Sequence, residues 1–83
     1  MNAAVLGKTE ALLTYCLKAY PGSADTYRRQ VTRITQGASE QALISVRNSM
    51  EYRRAHADVE DFVGKVDARN VKRMCSESVP AAR

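Results

Sequence analysis

The sequence predicts an all-α domain, a compact bundle of four to five short helices. Three observations predict it. Apolar residues recur at helical spacing along nearly the whole chain. Only two prolines and four glycines interrupt 83 residues, too few for the turns of a many-stranded sheet. Ser and Asp residues stand just ahead of the periodic stretches, where helix N-caps belong.

The first helix is expected from about Ala3 to Tyr20. Val5, Leu12, Cys16 and Tyr20 follow the helical repeat, and Leu13 and Leu17 widen the stripe. Pro21-Gly22 ends it. The second, about Ser23 to Gln36, has Ser23 as N-cap and Asp25 in the first turn, where negative charge suits the helix dipole. Ala24, Tyr27, Val31 and Ile34 form its apolar face, and Arg28, Arg29, Thr32 and Arg33 lie mostly opposite. Gly37 is the expected terminator.

The third helix opens at Ser39, with Ala42, Leu43, Val46 and Met50 on its apolar side. Ser49 followed by Glu51 reads as a fresh N-cap, so a break is placed at Asn48-Ser49. The fourth helix, about Met50 to Lys65, is expected to bury Tyr52, Ala55, Val59, Phe62 and Val66, spaced 3, 4, 3 and 4. Arg47–Glu51, Arg54–Asp58 and Asp61–Lys65 are opposite charges at i,i+4. A last helix begins behind Asp67 and carries Val71, Met74 and Cys75. From Ser76 on, poor helix formers and Pro80 predict fraying, leaving one helical domain over 1–79 and a tail at 80–83.

Composition narrows the function. At 45% hydrophobic residues the chain is too apolar for a disordered one, and no run of 18 apolar residues is present to span a membrane. Met1 to Lys8 lacks the basic start and long apolar run of a signal peptide. A mature N-terminus left after export is the reading adopted. Thirteen basic residues against nine acidic ones give a net charge of +4, which favours acidic partners. The charges are interleaved, so most are expected on a solvated mixed surface.

Cys16 and Cys75 have two readings. Both sit on apolar stripes near opposite ends of the chain. Joined, they staple the first helix to the last. Unjoined, they are two buried thiols of a cytosolic protein. A zinc site has no support, because one histidine does not complete four ligands with them.

Thr14-Tyr15-Cys16, Pro21, Tyr27, Gly37-Ala38-Ser39-Glu40, Ser45 to Ser49, Glu51-Tyr52-Arg53 and the late Cys75 together resemble a group of small exported bacterial helical proteins. Those carry one cysteine near each end and have no assigned activity. The resemblance implies export and a Cys16–Cys75 disulfide, and implies nothing about a ligand. There is a looser architectural similarity to two-cysteine periplasmic acid-stress chaperones, from which the arginine-rich composition departs.

Catalysis lacks its parts. His56 is the only histidine, and nothing in the sequence marks a nucleophile for it to activate. Gly7-Lys8-Thr9 echoes the end of a phosphate loop without its upstream glycine or strand. Glu60 and Asp61 point about 100° apart on a helix and cannot share a proton. Arg28, Arg29, Arg33, Arg53 and Arg54 are the candidate partner contacts. Tyr27 lies opposite the first three, so no stacking platform for bases accompanies them.

The expectation is therefore a non-enzymatic, cofactor-free, periplasmic or secreted module that binds a protein partner with an acidic face, with self-association left open. A small cytoplasmic nucleic-acid-binding protein is the alternative if the cysteines are free. A periplasmic acid-stress chaperone is the third reading.

Overall fold

The computed structural model describes residues 2–77 and is all-helical over them apart from short connections. Five α-helices follow in chain order: α1 (Ala3–Ala19), α2 (Ala24–Ile34), α3 (Glu40–Arg47), α4 (Met50–Lys65) and α5 (Ala68–Glu77). The tail expected at 80–83 lies outside the described residues.

Most helix starts are fixed by the side chains read as caps. Ser39 accepts the Ala42 amide at 3.0 Å and Ser49 accepts the Tyr52 amide at 3.3 Å, which separates α3 from α4. Asp67 accepts the Asn70 amide at 2.9 Å at the head of α5. Asn2 does the same for α1, accepting from Val5 at 3.0 Å. Each such bond satisfies a first-turn N–H that the helix itself leaves unpaired. Ser23 is the exception. Pro21–Ser23 form a 3-10 turn that runs directly into α2, and the Ser23 side chain makes no capping bond. After α2, Gly37 turns the chain with φ of 87°, a left-handed conformation that costs glycine nothing. α5 continues through Ser76 to Glu77, beyond the point where fraying was expected.

α1 is the central element and touches every other helix. Its most extensive contact is with α4, across Gly7. A Cβ on Gly7 would lie 2.5 Å from the Tyr52 carbonyl oxygen and 3.3 Å from the Ala55 methyl. The two backbones approach that closely only because position 7 has no side chain. On its other side α1 meets α2 and α5, where Leu13, Cys16, Tyr27, Val71 and Cys75 form the main buried cluster. Leu12, Tyr15, Leu17, Tyr20, Val31, Ile34 and Val66 pack around it.

Cys16 and Cys75 are joined, with S–S 2.03 Å and Cα–Cα 5.6 Å, tying α1 to α5 as expected. Both are fully buried.

Four expected core positions face solvent instead, Ala42 of α3 among them. Val5 is 59% exposed. It shares the azimuth of Cys16 but lies three turns earlier, and α5 is anchored at the Cys16 end. Phe62 is 57% exposed, while Val63 is 1% exposed. At about 100° per residue, Val63 returns to within about 20° of Tyr52, whereas Phe62 falls about 80° away. Phe62 also lies within about 20° of the buried Ala55, two turns earlier, so the buried side of α4 shifts around the helix along its length. Met50, at the first turn of α4, is also exposed.

Candidate functional site

The five candidate arginines fall on two helices. Arg28, Arg29 and Arg33 project from α2, and Arg53 and Arg54 from α4, all exposed. They do not form one patch. Arg28 is engaged locally, its guanidinium donating to Asp25 at 3.2 Å. Arg29 and Arg33 line an open groove of about 820 Å³ between α2 and α3. Thr26, Gln30 and Gln36 add polar groups to it and Leu43 adds an apolar wall. No acidic side chain is among its lining residues. Arg54 instead borders a smaller groove of about 340 Å³ between α1 and α4, where Lys8, Glu51 and Asp58 make the charge mixed.

The α2–α3 groove exists because α3 stands off. Its N-terminus is set by the Gly37 turn and the Ser39 cap, and α2 and α3 barely touch. Leu43 is left half-buried and Ile44 exposed. The carbonyls at the end of α2 are capped from within. The Thr35 hydroxyl donates to the Val31 carbonyl at 2.9 Å and to the Thr32 carbonyl at 3.3 Å, and the Gln36 amide donates to the Arg33 carbonyl at 3.2 Å.

A buried polar cluster escaped the sequence reading. Glu10 on α1 is 6% exposed. Arg47 donates to both its oxygens, from Nε at 3.0 Å and from the terminal nitrogen at 2.5 Å, and the Tyr52 hydroxyl donates at 2.5 Å. Arg47 therefore does not pair with Glu51 as its spacing suggested. The only advance signal was an acid flanked by Leu6, Ala11 and Leu13 on a buried helix. Burial pushes the Glu10 carboxyl up, but the Arg47 and Tyr52 hydrogen bonds outweigh it and hold it below the usual glutamate value. Burial and the bonded Glu10 push the Tyr52 hydroxyl up to about 12. So held, Glu10 is a weak base shielded from solvent, and it acts as a staple joining α1, α3 and α4.

His56 faces the edge of this cluster. Its ring lies 5.6 Å from that of Tyr52, and Nδ1 is 3.3 Å from Glu60 on its own helix. Asp61 pairs with Lys65 at 3.1 Å, as its spacing predicted, so Glu60 and Asp61 point to different partners. Gly7-Lys8-Thr9 lies within α1, where the glycine serves helix packing. Among the described residues no group of three His, Cys, Asp or Glu side chains is arranged to hold a metal ion, and no helix is long and apolar enough to cross a membrane.

Comparison with known proteins finds no matching family model, no matching curated protein and no matching solved structure.

Proposed function

We propose that this protein is a non-catalytic module, exported to the periplasm or beyond the cell, that works by presenting arginines on a rigid helical body to an acidic protein partner. The observation that carries the reading is the buried Cys16–Cys75 link beneath a surface on which Arg29, Arg33, Arg53 and Arg54 are exposed. A disulfide persists in an oxidising compartment and is rare in the cytosol. A cross-linked small domain holds its surface side chains in fixed relation, which lowers the ordering cost of binding.

Export is tested by trapping thiols with a mass-tagged alkylating agent in intact producing cells and then separating periplasm, medium and cytoplasm. The proposal expects the chain outside the cytoplasm with neither cysteine tagged before reduction. A cytoplasmic chain with both cysteines tagged would contradict it and leave the nucleic-acid reading. In that case duplex or single-stranded oligonucleotides should bind with a steep salt dependence.

A further inference from the structure

We infer that the groove between α2 and α3 is the partner site, and that its ligand is an extended peptide segment bearing carboxylates at alternate positions. This deepens the binding-module reading and rests on it.

Arg29 and Arg33 are four residues apart on one helix, so their attachment points are separated by about 6 Å along the axis. In an extended chain, side chains two residues apart lie on one face about 6.7 Å apart. An acid-x-acid segment laid along α2 thus meets each guanidinium with one carboxylate, the pairing geometry arginine serves best. Neither arginine is ion-paired among the described residues: the α2 acid, Asp25, is held by Arg28, and the α3 acid, Glu40, does not line the groove. At the carbonyl end of α2, which repels anions, the Thr35 hydroxyl donates to the Val31 and Thr32 carbonyls and the Gln36 amide donates to the Arg33 carbonyl. Gln30 and Gln36 can bond the backbone of a strand, and Leu43 gives the intervening side chain an apolar contact. The groove is open rather than a closed cup, which suits a segment of chain. Nucleic acid fits less well. Two free cations neutralise few phosphates, and Tyr27, the tyrosine of α2, is buried and offers no face for stacking.

The test is fluorescence anisotropy with a labelled ten-residue peptide alternating glutamate and valine, at low and physiological salt, against the disulfide-intact protein. Saturable binding is expected, weakened roughly tenfold or more by R29A/R33A and unchanged by R28A, with unaltered thermal melting in all variants. A peptide of the same composition with its glutamates in one block should bind more weakly. Equal binding of the two peptides, or tighter binding of a single-stranded oligonucleotide of equal charge, would overturn the inference. Binding that survives R29A/R33A but is lost in R53A/R54A would overturn the groove assignment and leave the binding-module reading standing. No binding of either peptide would remove both.

Discussion

Glu10 gives up nearly all its water on folding and receives three hydrogen bonds in return. Because its native carboxyl is held below its usual value, the ionised form favours the fold. That contribution is present above the unfolded value near pH 4.3 and is lost as pH falls through the lower native value. Urea midpoints should therefore decline on acidification below about pH 4, and E10Q should flatten part of that decline. Tyr52 has the opposite sign. Its hydroxyl is raised to about 12, so its contribution is present below the unfolded value near 10 and is lost as pH rises towards 12. Removing the carboxylate altogether strands Arg47 and Tyr52. Arg47 keeps 39% of its side chain in water, so E10A should cost about 1–2 kcal/mol in urea unfolding at neutral pH, less than for a fully buried pair. A pH-independent midpoint in the wild-type protein would contradict this account of Glu10.

At the scale of elements, the closest packing is α1 on α4 at Gly7. The neighbour of a Cβ there is a backbone oxygen at 2.5 Å, which cannot rotate away as a side chain can. G7A should lower stability by about 1–3 kcal/mol despite the better helix propensity of alanine. G64A, where a Cβ meets nothing within 4 Å on the same α4, should be neutral or stabilising. A pair of thermal melts compares them directly. The elements themselves were legible because their signals are local: Ser39, Ser49 and Asp67 cap within three residues, and no distant contact is needed to know it. What misled was azimuth. A stripe drawn at heptad spacing reaches Phe62, whereas the helix buries Val63. Gly7 and Glu10 were invisible as packing residues because their roles depend on α4 lying across them. The same limit applies to the arginines. Their positions on α2 and α4 were readable, but the placing of Arg29 and Arg33 in one groove and Arg54 in another depends on how the helices pack.

For the whole molecule, one covalent bond connects the first helix to the last over a separation of 59 residues. A loop of that length restricts the unfolded chain enough to stabilise the native state by about 4 kcal/mol on the chain-entropy model. Domains of this size have little more than that to lose. α5 makes few other contacts with the body, so its hold on the main cluster comes through Val71 and the Cys75 link. Cutting the bond should loosen α5 first and uncover the Leu13–Tyr27 region.

The most direct test is urea unfolding of the wild-type protein with and without dithiothreitol, set beside a C16S/C75S variant in both conditions. The staple predicts a reductant-induced loss of about 4 kcal/mol in the wild type, with the reduced protein matching the variant and the variant indifferent to reductant. Wild-type curves that superimpose after complete reduction would mean the two ends of the chain hold together without the sulfur bridge.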